Sequence, residues 1–238
     1  MSPKQRSAQV FGFILAMVLL LVMTTGLAEG RTQEEERIEE AIRAFEEILD
    51  LPEEGMPEYL LKECHGIAII PSVVKVAYGI GAQYGKGVVL LRRERGWSSP
   101  AFIRLIGGSA GWQIGIQKSD IILVFKTPKS VENITHGKIT LGADISVAAG
   151  PVGRRAEAST DLDLEAEILS YAKTKGLFAG VSIKGASIQI DHEANEGFYD
   201  DYGVSARDIL IRDRVRPPRA ARKLMRLLNS YTHDPRLL

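Results

Sequence analysis

The sequence predicts an α+β protein built on a strongly curved, glycine-rich, mainly antiparallel β-sheet or partial barrel, with helices flanking it at both ends. Three observations carry this. Apolar residues recur at sustained helical spacing near the two ends of the chain, over 32–49 and 217–231. From Gly66 onward the chain breaks into short β-branched runs. Glycines at 79, 81, 85, 87, 107, 108, 111 and 115 punctuate those runs, where they suit tight turns, bulges and close backbone approach.

At the start, Lys4 and Arg6 precede an apolar run from Val10 to Met23 that ends in Thr24-Thr25-Gly26-Leu27-Ala28. Residues 1–28 therefore read as a secretory signal peptide, with Gly26 and Ala28 as the small residues of its cleavage site. The run is short against the ~20 apolar residues of a membrane span, which leaves an uncleaved N-terminal anchor as the alternative. The expected location is periplasmic or secreted. Cys64 is the one cysteine, so no disulfide can form within the chain and the fold must rest on an ordinary core, which the length permits, or on pairing between chains. The remaining residues divide into a sheet-bearing domain over 29–213 and a basic C-terminal helix and tail over 214–238.

Ile38, Ala41, Ile42, Phe45, Ile48 and Leu49 form one face of an amphipathic helix over Thr32–Leu49, and glutamates cover the other. A shorter helix over Pro57–Cys64 is started by the proline and stopped by Gly66. Strands are expected at 67–70, 73–77, 88–91, 101–106 and 121–125. Thr127-Pro128 begins a brief helix that Gly137 ends, and strands resume at 139–141 and 144–148. The alternation from Ala156 to Ile168 gives a strand or hairpin with one acidic face. Strands at 177–184 and 187–191 follow, and the chain then turns helical, with helices over 206–211 and 217–231.

Lys plus Arg and Asp plus Glu number 30 each, so the whole molecule has no electrostatic footprint for nucleic acid. The balance conceals an asymmetry: residues 29–60 carry twelve acids against three bases, and residues 207–238 nine bases against three acids. Any anionic partner must be met locally.

Among motifs that could carry chemistry, Gly107-Gly108-Ser109-Ala110-Gly111 fits the G-x-S-x-G of a nucleophile elbow, which would make Ser109 a hydrolase nucleophile. An elbow needs a strand-to-helix turn, whereas Trp112 to Gly115 reads as further strand. The glycines from 79 to 87 have neither dinucleotide nor Walker spacing, and Glu196 stands where a zinc-protease helix beginning at His192-Glu193 needs its second histidine. No cofactor or metal is expected. The acidic face of residues 157–167 is weighed as a calcium site against a solvated outer face.

Two basic segments remain. Arg92-Arg93-Glu94-Arg95-Gly96-Trp97 reads as a hairpin tip that offers Arg92, Arg93, Arg95 and an indole to a headgroup boundary, or else folds Trp97 back on the core. In the last helix Ala220, Leu224, Leu227, Leu228 and Tyr231 share one face beside Arg219, Arg222, Lys223 and Arg226. That pattern suits an interfacial helix, and equally a helix packed on the sheet or on the acidic helix of residues 32–49.

The ordered set Pro71-Ser72-Val73-Val74-Lys75, Gly85-Lys86-Gly87-Val88, Gly96-Trp97-Ser98-Ser99-Pro100-Ala101-Phe102, Gln113-Ile114-Gly115, Ser119-Asp120, Leu141-Gly142-Ala143-Asp144, Ala149-Gly150-Pro151-Val152-Gly153 and Gly176-Leu177-Phe178-Ala179-Gly180-Val181-Ser182 resembles the SYLF domain family, over about Glu35 to Arg212. The resemblance implies a lipid-contacting module without catalysis, its partner an anionic phospholipid or membrane surface. An envelope protein partner is the alternative. In eukaryotic relatives the lipid contact is attributed to a basic amphipathic helix at the start of the domain. The matching helix here carries Glu34, Glu35, Glu36, Glu39, Glu40, Glu46 and Glu47, so that contact does not transfer. The hairpin tip and the last helix are the substitutes the sequence offers.

Overall fold

The computed structural model describes residues 32–49, 56–78, 80–110, 115–152 and 165–232. Residues 1–28, expected to be a signal peptide, and most of the alternating acidic stretch lie outside the described residues. Helices are α1 (Gln33–Leu49), α2 (Glu58–Glu63), α3 (Pro128–Thr135), α4 (His192–Tyr199), α5 (Ala206–Leu210) and α6 (Arg219–Thr232). Strands are β1 (Gly66–Tyr78), β2 (Ile80–Arg93), β3 (Gly96–Trp97), β4 (Ala101–Ala110), β5 (Gly115–Phe125), β6 (Lys138–Thr140), β7 (Val147–Ala149), β8 (Ile168–Thr174), β9 (Leu177–Gly180) and β10 (Ala186–Ile190).

One sheet runs in the order β6-β10-β4-β2-β1-β5-β8-β7, with β3 on β2 and β9 on β8. Its pairings are antiparallel except β7 with β8. The two ends of this order, β6 and β7, are joined only by residues 141–146, within which Leu141 and Ile145 form a bridge. So short a link draws the edges together, and the sheet curls into a half-barrel.

The curl buries both faces of the central strands. Inside, Ala68, Ile70, Val89, Ile103, Leu105, Leu123 and Ile188 pack together, closed over by Ile134 of α3 and by Ile209 and Leu210 of α5. Outside, Ile67, Ile69, Val88, Leu90, Phe102, Ile122 and Val124 meet Ile38, Ile42, Phe45 and Ile48 of α1 and Leu224 and Leu228 of α6. Acids in the first turn of α1, Glu34 to Glu36, suit its helix dipole. Thr127, Asp191 and Ser205 cap α3, α4 and α5 by accepting backbone N–H bonds.

Several boundaries differ from the sequence expectation. The runs at 67–70 and 73–77 are one strand, β1, interrupted by a bulge: Ile69 faces Val88 and Val74 faces Tyr84, which leaves one extra residue on β1. Ser72 sits there at φ 55° and its N–H donates to Asp120 Oδ1 at 2.8 Å. Strands β2, β4 and β5 continue through their glycine-rich ends. The strand expected over 144–148 begins at Val147, because Gly142 to Asp144 form a turn tied by Asp144 Oδ2 accepting from Thr140 N–H. Strand β9 ends at Gly180, short of Lys184, and β8 was not expected beyond Ile168.

Cys64 closes α2, 1% exposed, with its thiol donating to the Leu61 carbonyl at 3.3 Å. Burial pushes its pKa up to about 11, against a smaller opposing pull from Arg92. Thiolate is the reactive form. Native protein at pH about 8 is therefore expected to resist iodoacetamide and to take up one label per chain in urea; fast native labelling by intact-mass analysis would contradict the placement.

Candidate functional site

The candidate site assembles where α6 lies against α1 and the β2–β3 hairpin. Two prolines, Pro217 and Pro218, lead into α6, and Arg222 Nη1 donates to the Pro217 carbonyl at 2.6 Å. Ala221, Leu224, Leu228 and Thr232 form its buried stripe. The ring of Tyr231 meets Phe45 of α1 edge-on at 6.1 Å. Lys223 Nζ reaches Glu39 Oε2 at 2.7 Å, so the oppositely charged ends of the chain pair across this contact. Of the two roles the sequence left open for α6, packing on the acidic helix is the one observed. The reading of its leucines as a shallow membrane insert is corrected, because Leu224 and Leu228 are fully buried.

The hairpin tip is likewise turned inward for three of its four nominated residues. Trp97 is buried, and its indole N–H donates to Thr232 Oγ1 of α6 at 2.9 Å. Arg92 lies over that indole at 5.2 Å and donates to the carbonyls of Cys64 (3.0 Å), Leu61 (2.7 Å) and Thr232 (3.3 Å). Arg93 pairs with Asp213 at 2.7 Å and also donates to the Ile209 and Leu210 carbonyls at 3.1 Å. These contacts fasten the hairpin to α2, α5 and α6. Arg95 alone of the four is exposed.

What the structure brings together is a row of cations that the sequence placed in two separate segments. Arg219, Arg222 and Arg226 are exposed and follow one another at helical spacing along α6. Asn229 continues the row, and Gly96, at φ 89°, lies so close to it that a Cβ there would stand 2.8 Å from Asn229 Oδ1. Arg95 is the next residue. Among the described residues no carboxylate pairs with Arg95, Arg219, Arg222 or Arg226.

Sequence reasoning missed the charge centre that sets α1 on the sheet. Asp191, 2% exposed, accepts from Arg37 of α1 at 3.2 Å and from Arg104 of β4 while capping α4. Arg37 also lies 5.2 Å above the Phe102 ring. Burial alone would raise the Asp191 pKa, yet the hydrogen bond and charge of Arg104, with Arg37 behind it, hold the carboxyl below the usual range.

Ser109 lies within β4 opposite Gly81, and the next described element is strand β5, so no strand-to-helix turn of a nucleophile elbow follows it among the described residues. Of the proposed calcium face, Glu165 and Glu167 are described, and Glu167 is engaged by Ser146.

The quoted motif residues hold the fold's tightest places. A Cβ on Gly180 would stand 2.0 Å from the Gly150 carbonyl, and one on Gly150 would enter the Tyr171 ring. Ser98 Oγ accepts from Leu91 N–H at 3.0 Å, and the Pro100 carbonyl accepts from Tyr199. The family model for Ysc84, described as a Las17-binding protein and actin regulator, matches residues 106–231. The chain belongs to the Ysc84 family, which is the SYLF family.

Within this family the chain is 38% identical over 179 residues to Protein YSC84 of Saccharomyces cerevisiae, covering 74% of this chain and 38% of that protein. LAS seventeen-binding protein 3 of the same yeast is 39% identical over 185 residues, 76% of this chain and 40% of its own length. The human SH3 domain-containing YSC84-like protein 1 is 34% identical over 214 residues, covering 88% of this chain and 62% of the relative. The chain thus spans less than two thirds of each of these relatives.

Proposed function

We propose that this chain is an exported, non-catalytic SYLF protein that binds anionic phospholipid peripherally at a membrane surface. The observation that carries the reading is the exposed arginine row of α6, continued by Arg95 and matched by no carboxylate among the described residues. A fixed cation near an anionic surface contributes about 1 kcal/mol, so the row supports attachment that is useful, reversible and weakened by salt. Because Leu224 and Leu228 of α6 are interior and Leu227 is half-buried against the same core, the row offers headgroup attraction and not insertion.

Co-sedimentation with vesicles of phosphatidylglycerol tests this. Binding is expected at low ionic strength and should fall as salt rises. Reversing Arg219, Arg222 and Arg226 to glutamate should weaken it by about a hundredfold or more. Protein that stays in the supernatant at low salt would defeat the proposal. Export is tested separately, by N-terminal sequencing of the protein the cell accumulates; a start near Glu29 is expected, and a full-length cytoplasmic product would remove that part.

A second reading, a protein-binding module, is favoured by the family description as Las17-binding and by the name of the yeast relative LAS seventeen-binding protein 3. Concentration-dependent assembly without vesicle binding would select it.

A further inference from the structure

The outer face of the sheet is covered by helices at one end of β2, and nothing among the described residues lies over it at the other, bare end. Period-two alternation places Val88, Lys86 and Tyr84 on one side of β2, and Phe102, Arg104 and Ile106 on the same side of β4. Val88 and Phe102 lie under the helices. Tyr84 and Ile106, farther along, are 45% and 40% exposed. Register then joins them to their neighbours: Ile106 faces Tyr84, Tyr84 faces Val74, and Val76 faces Ile116. Val74, Val76 and Ile116 are 39%, 47% and 79% exposed. With strands about 4.8 Å apart, these five side chains form one contiguous apolar patch.

Contiguous apolar surface of this kind marks an interaction site more often than scattered exposed residues do. Its border is cationic. Lys86 faces Arg104, Lys118 faces Val74, and both lysines are exposed. Lys118 also lines a cleft of about 270 Å³ with Lys175, Ser72, Ser119 and Asp120. Of the acids at this border, Glu47 is paired with Lys173 at 2.7 Å, and Asp120 accepts from Ser72 N–H and keeps its charge beside the lysines. No carboxylate among the described residues pairs with Lys86, Lys118 or Lys175.

We infer that the bare end of the sheet is the face that enters an anionic lipid surface, with Val74, Val76, Ile106 and Ile116 at the acyl boundary and Lys86, Lys118 and Lys175 on the phosphates. An apolar centre with a lysine border matches a bilayer, whose phosphates lie just outside its hydrocarbon, and Tyr84 has the amphipathic ring that suits that boundary. The inference rests on the lipid reading above but names a different surface. Helix α6 packs at the Arg92–Trp97 end of β2, and the patch lies toward Ile80. The arginine row then adds attraction to the anionic surface, and the sheet end makes the insertion.

The test uses protein in the form the expressing cell accumulates and vesicles of equimolar phosphatidylcholine and phosphatidylglycerol. Val76→Ser with Ile116→Ser is expected to lower vesicle partitioning roughly tenfold, and separately Lys86→Glu with Lys118→Glu to lower it about thirtyfold or more. These are exposed positions, so far-UV circular dichroism and the melting midpoint should match the parent. Independently, Ile116→Cys labelled with an environment-sensitive dye should shift to the blue on vesicle addition, since buried Cys64 does not compete for the label. Parent-like partitioning of both pairs, or no dye shift while the parent binds, overturns the inference and leaves the lipid reading standing. Failure of the parent to bind defeats both. A serine pair that changes the protein's oligomeric mass but not its vesicle binding assigns the patch to a protein contact, and also overturns it.

Discussion

Replacing Asp191 by alanine is expected to destabilise the protein by about 3–5 kcal/mol, a large fraction of the roughly 5–15 kcal/mol that holds a typical domain folded. The carboxylate is 2% exposed and serves three elements at once. Without it Arg37, whose side chain is 8% exposed, stays charged beneath α1 with no carboxylate to answer it, and this desolvated cation dominates the loss. Arg104 is 36% exposed and can turn to water, so its share is smaller. Loss of the α4 cap adds about 1 kcal/mol. Asp191→Asn keeps an acceptor for the cap and should fall between alanine and the parent. Arg37→Met in the alanine background should recover part of the loss, because it removes the stranded charge.

The pH dependence follows from the same geometry. The folded pKa of Asp191 is depressed, so the unfolded chain takes up the proton first as acid is added. Its contribution is complete above the unfolded carboxylate value of about 4 and is lost as pH falls through the lower folded value. Urea midpoints at descending pH should therefore drop for the parent below pH about 4 and drop less for Asp191→Asn. A neutral Asp191→Ala midpoint at pH 7 would mean that α1 is held by its apolar face alone.

How far the fold could be read in advance depended on which physical signal each segment carried. Helix α1 was legible because Ile38, Ala41, Ile42, Phe45 and Ile48 show its one-sided burial directly in their spacing. Strand β8 was not, because Ile168, Leu169, Ser170, Tyr171 and Ala172 are all buried, and a strand covered on both faces has no alternation to show. The curl of the sheet was legible in its glycines, whereas the bulge that joins two expected strands into β1 depends on the Ser72–Asp120 bond, a pairing 48 residues apart in sequence.

The site was harder. Local pattern nominated the arginines of α6, which the fold leaves exposed, but could not decide whether the adjacent leucines faced lipid or α1, since both partners reward the same stripe. The tip cations Arg92 and Arg93 looked free because the carbonyls they bind belong to Leu61, Cys64, Ile209 and Leu210, remote in sequence. At the sheet end the reverse holds. Val76 and Ile116 alternate as core residues do, and only the extent of the helical cover shows that nothing among the described residues lies over them.

Gly87→Ala is the second large effect expected, about 3 kcal/mol or more. Gly87 sits in the middle of β2 against the β1 bulge, where an added Cβ would stand 2.3 Å from the Ile69 carbonyl oxygen and 2.7 Å from Ile70 Cα. Both are backbone atoms of a central strand held by hydrogen bonds on two sides, so no side-chain rotation relieves the clash. Relief requires β1 and β2 to part, which breaks their ladder at the bulge. Gly108 supplies the control within the same sheet. A Cβ there meets only the Gly81 carbonyl oxygen, at 3.9 Å, so Gly108→Ala should be neutral or slightly stabilising, through the lower entropy of the unfolded chain. Denaturant midpoints of the two variants discriminate between causes. If both fall alike, the glycines matter for strand flexibility in general; if only Gly87→Ala falls, the sheet owes its curvature to the close approach of β1 and β2 at that residue.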